Sequence, residues 1–167
     1  MLEIVKFPND ILRQKVEEFD FEKCILDPFK LEKELIETML AHNGIGLAAV
    51  QVGIPLRVFV MGHTQFKDHA QGFFNPIIVA NSEIVHDLEE SCLSFPGIYA
   101  NIKRPSAIKA RWQNSLGDWE EGEFSGYECK CFLHEYDHLE GLVFKDRVSE
   151  LKWALAVKKS KPKKRRK

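Results

Sequence analysis

The segment YECKCFLHEYDHLEG, residues 127–141, constrains this chain more than any other. It holds no proline and no internal glycine, follows the Ser125-Gly126 break, and stops on Gly141, a residue suited to the position just past a helix end. It reads as a helix with a buried face. His134 and His138 stand four residues apart, so at 3.6 residues per turn both imidazoles project from one face at a separation a single metal ion can bridge. Glu135 follows the first histidine and can sit beside that ion as a base for water without being a ligand. Two histidines are half a site, because a catalytic ion takes three protein ligands and keeps a fourth position open. The third ligand has to be found elsewhere. The continuation H-x-x-G-x-x-H is missing, no downstream glutamate is clearly placed, and the soft candidates are Cys92, Cys129 and Cys131. Cys131 can share a face with His134, yet a ligand from another segment wraps an ion more easily. Taken alone, Cys92 reads as a small buried hydrophobe.

Around this helix the other elements follow from spacing. Asp27 as a cap and Pro28 at the first helical position open a stretch with Leu31, Leu35, Ile36, Met39 and Leu40 at helical spacing, closed by Asn43 and Gly44. The run GIGLAAVQVGIP is too rich in glycine for a helix, so a strand is expected to start close to Gln51, with a β-type run from Val58 to Met61. Phe73 to Val85, interrupted at Asn75-Pro76, and Ala107 to Trp112 look extended, and Asn114 to Asp118 is a turn feeding Trp119 to Phe124. Ser149 caps a last amphipathic stretch carrying Leu151, Trp153, Leu155 and Val157. The sum is an α+β domain, helices around a strongly bent, mostly antiparallel sheet.

A length of 167 residues suits one self-supporting core. No repeat, linker or composition break precedes the tail, so one domain is expected over 1–157 and a basic, disordered tail over 158–167. The formal net charge of −1 hides an asymmetry: the last ten residues, KKSKPKKRRK, hold eight Lys or Arg and no acid, and the body before them is acidic. Contact with a polyanion such as ribosomal RNA is therefore expected only at that end, with DNA excluded as a partner. No apolar run is long enough to span a membrane, and the N-terminus lacks the pattern of an export signal. The expectation is a cytoplasmic chain whose four cysteines, Cys24, Cys92, Cys129 and Cys131, are thiols or ligands.

Three segments, GIGLAAVQ at 44–51, ESCLS at 90–94 and HEYDH at 134–138, resemble in order and separation the three motifs of the peptide deformylase family. The resemblance spans residues 44–141. It implies the family's fold, sheets wrapped around a central metal-binding helix, and one divalent ion held by Cys92, His134 and His138. The resemblance implies ferrous iron as that ion in the cell, with zinc or nickel able to replace it. It further implies Glu135 as general base, Gln51 and the backbone N–H of Leu93 as partners of the oxyanion, and Ile45, Gly46, Ser91, Tyr127 and Cys131 as substrate contacts. Asp137, Glu90 and Arg104 would support the ligands. The implied activity is removal of the N-formyl group from the initiator methionine of nascent polypeptides by a monomeric enzyme.

Three departures from the family pattern stand out: Ser91 where glycine is usual, Leu133 where glutamine is usual, and His42-Asn43 where acidic residues often precede the first motif. Competing readings are a zincin-like peptidase, which the missing third-ligand pattern disfavours, and a copper electron-transfer site, which has no use for Glu135. A deformylase-like module that binds the ribosome or RNA through the tail is the third.

Overall fold

Asp27 opens the first helix as its sequence dictates. Its carboxylate accepts from the N–H groups of Phe29 (2.9 Å) and Lys30 (3.2 Å), and α1 runs over Pro28–Ala41 with Leu31, Leu35 and Met39 buried. Asn43, in the left-handed region at φ 54°, ends it. The computed structural model describes residues 1–23, 25–63 and 66–160, without the side chains of residues 63 and 66–69. Cys24 and residues 161–167, most of the basic tail, lie outside the described residues.

Five strands, β1 (Gly46–Ala48), β2 (Val58–His63), β3 (Phe66–Asn81), β6 (Ala107–Gln113) and β7 (Trp119–Ser125), pair antiparallel in the order β1-β2-β3-β6-β7. Between β3 and β6 in the chain, β4 (Val85–Cys92) and β5 (Phe95–Pro105) form a separate antiparallel hairpin. Two helices follow, α2 (Gly126–Leu139) and α3 (Glu150–Ser160). The expected interruption at Asn75-Pro76 is a bulge: the β3–β6 register shifts between Phe74 and Ile77 where Asn75 takes φ 48°. The Asn75 amide accepts from the Phe19 N–H (2.7 Å) and donates to the Phe19 carbonyl (2.9 Å), so the bend is fastened to the N-terminal segment.

Alternation along β2 assigns the two faces of the large sheet. Phe59 and Met61 face α2, where Phe132 meets Phe59, Phe73 and Phe124 at ring separations of 5.0, 5.5 and 5.0 Å. Val58 and Val60 face α1. A third core joins the hairpin to α3 through Cys92, Phe95, Ile102, Phe144 and Ala156, with Trp153 edge-on to Phe95 and Phe144. Helix α2 thus lies between the large sheet and the hairpin, and the fold is the bent antiparallel α+β arrangement the sequence implies.

Three expectations need correction. The strand expected near Gln51 lies earlier, at β1, and Gln51 sits in a 3-10 turn, Ala49–Val52, that ends on Gly53 at φ 82°. The hairpin has no counterpart in the sequence reading, because Glu90 points inward and breaks the apolar alternation that marks a half-buried strand. In α3 the buried residue is Ala156, with Trp153 and Val157 half-buried, while Leu151 and Leu155 are exposed. This helix also continues through Lys158 and Lys159 to Ser160, three residues past the expected boundary of the domain at Val157.

Candidate active site

Cys92 ends β4 and meets the C-terminal half of α2. Its Sγ and one ring nitrogen each of His134 and His138 lie within 4.8 Å of one another, all three residues buried, with Sγ 3.4 Å from His138 Nε2. The other two soft candidates are engaged elsewhere. Cys129 Sγ donates to the Pro105 carbonyl (3.2 Å) and Cys131 Sγ to the Ile45 carbonyl (3.3 Å). Burial pushes both thiols up, Cys131 far up.

The donor set suits one ion. A thiol and two imidazoles converge from two elements, and burial together with the neighbouring His134 keeps His138 well below the usual histidine range, in the neutral form that ligates. His138 Nδ1 is buried with no hydrogen-bond partner among the described residues. His134 is oriented from behind: its Nδ1 lies 2.8 Å from Glu90 Oε2, which leaves Nε2 for a metal.

Behind that histidine runs a chain of buried charges. Arg104, on β5, donates Nε and Nη2 to the two oxygens of Glu90 (2.5 and 3.0 Å) and Nη1 to Asp137 (2.9 Å) and to the Leu133 carbonyl (3.3 Å). Arg147 closes the far end with paired hydrogen bonds to both Asp137 oxygens. Burial alone would raise Glu90, but the hydrogen bonds from His134 and Arg104 outweigh it and hold the carboxyl at about 2. The sequence pointed to Glu90, Arg104 and Asp137 as supporting residues, and the structure brings them together. Arg147 was missed because it sits in a short 3-10 turn, Phe144–Arg147, with no periodicity to mark it.

Glu135 occupies the inner wall of a cavity of about 280 Å³. Burial pushes its carboxyl up to about 7, and its buried Oε2 has no hydrogen-bond partner among the described residues. Gly46 makes this placement possible: a Cβ there would run into the Glu135 carboxylate and sit 2.8 Å from Cys131 Sγ. Gln51 is fixed by its own turn. Its Oε1 accepts from the Ala48 N–H (2.9 Å), which directs Nε2 to Cys92 Sγ (3.4 Å) and Ser94 Oγ (3.2 Å). Buried Ser94, given no role in the sequence reading, helps set that amide. Lys6 donates to the Leu93 carbonyl (2.7 Å) and so steadies the backbone next to Cys92.

Ile45, Gly46, Ser91, Leu93 and Cys131 line the same cavity as Gln51, Cys92, His134 and Glu135. Tyr127 does not. It is exposed at the start of α2, with the Lys130 ammonium 4.5 Å from its ring centre. Of the family departures, Ser91 is exposed at the cavity and pairs across the hairpin with Tyr99, Leu133 packs against the large-sheet core, and His42 Nδ1 lies 2.9 Å from the Thr38 carbonyl.

Two histidines on a helix clasped between two antiparallel sheets, a cysteine at the end of a strand beside them, and a buried carboxylate on the same cavity define a metal-binding α+β enzyme site. Comparison with known proteins places the chain more closely. The model of the polypeptide deformylase family matches residues 1–154. The peptide deformylase of Novosphingobium aromaticivorans is 40% identical over 94% of this chain and 94% of its own length. The crystal structure of peptide deformylase from Thermotoga maritima superposes with a TM-score of 0.80 at 38% identity, covering 89% of this chain and 98% of that one. A class I type b peptide deformylase from Acinetobacter baumannii, solved with Met-Ala-Ser bound, gives a TM-score of 0.82 at 29% identity over 89% of this chain and 98% of the other. This chain belongs to the peptide deformylase family.

Proposed function

We propose that the protein removes the N-formyl group from the N-terminal methionine of nascent polypeptides in the cytoplasm, releasing formate. The observation that carries this reading is the buried Glu135 carboxylate, with one oxygen unpartnered, in the same cavity as Cys92, His134 and Gln51. Family membership and the relative with Met-Ala-Ser, the deformylated form of such a substrate, support it.

Cys92, His134 and His138 would hold one divalent ion, ferrous iron in the cell, with zinc or nickel as substitutes. Bound there, the ion supplies Lewis acidity, polarising the formyl carbonyl and lowering the pKa of water. The chain's own residues do the rest. Glu135 takes a proton from the water that attacks the formyl carbon and returns it to the leaving amine as the C–N bond breaks, and its raised proton affinity suits both transfers. Gln51 Nε2 and the Leu93 N–H donate to the oxygen on which charge develops. The peptide lies as an added strand beside Gly44–Gly46 and the end of β4, with the methionine side chain toward Ile45 and Cys131. Glu90, held ionised by Arg104, keeps His134 in the tautomer that presents Nε2.

Formate release from formyl-Met-Ala-Ser by anaerobically purified, iron-loaded protein tests the reading beside Glu135→Gln. We expect the variant to keep its metal and lose roughly 10²-fold or more in rate. Near-normal turnover in a metal-loaded variant would remove Glu135 as the base, and no formate from either protein would remove the activity. The tail supports a further reading, recruitment to the ribosome. Deleting residues 158–167 is expected to weaken salt-sensitive cosedimentation with ribosomes while activity on free peptides persists; equal cosedimentation would dispose of it.

A further inference from the structure

A polypeptide whose first residues fill the catalytic cavity has to leave it across the surface. The cavity holds about 280 Å³, near the lower end of the roughly 300–1,000 Å³ usual for small-ligand sites, so it accommodates only the start of a chain. One exit is marked. Glu89 and Tyr99 line the catalytic cavity and also a second, larger depression of about 660 Å³ between β5 and α3. Its floor is Gly97, Ala100 and Asn101, and its far wall is Lys152, Leu155 and Lys159 of α3.

Three features of this groove fit an extended chain. Gly97, at φ 76°, has nothing within 4 Å of where a Cβ would be, so the floor is open to a passing backbone. Leu155 is 51% exposed although it lies on the helix face turned toward the hairpin, an apolar contact left without a partner. Lys152 and Lys159, seven residues apart and therefore on one side of α3, have no carboxylate partner among the described residues, whereas Lys15, Lys23, Lys33 and Lys109 do.

We propose that this groove is a binding site for the downstream part of the polypeptide substrate, continuous with the catalytic cavity past Tyr99, and that its lysines favour acidic residues there. The proposal rests on the deformylase reading. It predicts an enzyme that distinguishes substrates by residues remote from the reacting bond, through binding energy that lowers KM on long chains and does not touch short ones.

The test compares kcat/KM of the metal-loaded enzyme on formyl-Met-Ala-Ser and on two formyl-methionyl nonapeptides, one with aspartates and one with lysines in its second half. We expect the acidic nonapeptide to exceed both other substrates by about three- to tenfold at low salt, the scale of a few exposed charge contacts, mainly through KM. The K152E/K159E double variant should lose that advantage and prefer the basic nonapeptide, with the rate on formyl-Met-Ala-Ser unchanged as the control for folding. Equal kcat/KM for all three substrates on the wild type overturns the groove and leaves the deformylase reading intact. So does an acidic preference that survives in the double variant. A double variant that loses only its binding to a short oligoribonucleotide, with peptide preference retained, makes the groove an RNA contact and also overturns the proposal. No turnover of any substrate takes down both readings together.

Discussion

The two sides of α2 are built on opposite principles. On one, Phe132, Leu139 and Cys129 are fully buried against Phe59, Phe73 and Phe124, and ring contacts of 5.0 to 5.5 Å fill the space without needing partners. On the other, His134, Asp137 and His138 are also buried, and the first two depend on specific neighbours: Glu90 for His134, Arg104 and Arg147 for Asp137. An apolar side tolerates small errors of position at modest cost. A charged side fails when a single partner is removed, because the charge left behind is buried and uncompensated. The helix is stabilised from one side and made reactive from the other.

That division yields three ways to separate the sides. The largest effect is expected from Arg104→Ala, which leaves buried Glu90 with His134 alone and Asp137 with Arg147 alone. A loss of about 3–5 kcal/mol in unfolding free energy is expected, along with metal lost on dialysis as the Glu90 carboxylate that orients His134 loses its anchor. Urea unfolding and metal analysis check both, and metal content unchanged on dialysis would show that the relay does not orient the ligand. Phe132→Ala should cost a similar or slightly smaller amount, about 3–4 kcal/mol, yet activity per bound metal should stay close to wild type at temperatures where the variant is folded. A rate per metal that falls as far as in Glu135→Gln would mean that the aromatic side also sets the reacting geometry. The smallest effect belongs to Arg57→Ala at the helix end. Arg57 stacks over Tyr136 at 4.9 Å, bonds Glu140 at 2.7 Å and reaches the Pro76 carbonyl, and its loss should lower stability by about 1 kcal/mol. No change in the unfolding midpoint would assign that corner no share in placing α2.

The same contrast explains what could be read in advance. Signals carried by consecutive residues were legible: the Asp27-Pro28 start of α1, the interruption at Asn75-Pro76, the H-E-x-x-H spacing and the stop at Gly141. Signals that depend on what comes to lie opposite were not. Glu90 inside β4 looks like an error of patterning until Arg104 and His134 surround it, and so the hairpin went unread. Leu151 and Leu155 promised a buried face for α3, yet the hairpin core takes Ala156, the smaller side chain that lets Trp153 reach Phe95 and Phe144. Gln51 looked like the start of a strand because the Gly-rich run before it excludes a helix; its side-chain amide oxygen, accepting from the Ala48 N–H, closes the turn instead. Cys92 could be chosen over Cys129 and Cys131 only through the family resemblance, since the carbonyls of Pro105 and Ile45 that occupy the other two thiols are distant in sequence.

The candidate metal ligands are divided between two packed bodies. His134 and His138 belong to the helix that rides on the large sheet, and Cys92 belongs to the core shared by the hairpin and α3. An ion bound by all three therefore acts as a rivet as well as a reagent, riveting the two walls between which a formylated chain would lie. Removing such an ion would be expected to loosen those two walls as well as to take away its Lewis acidity.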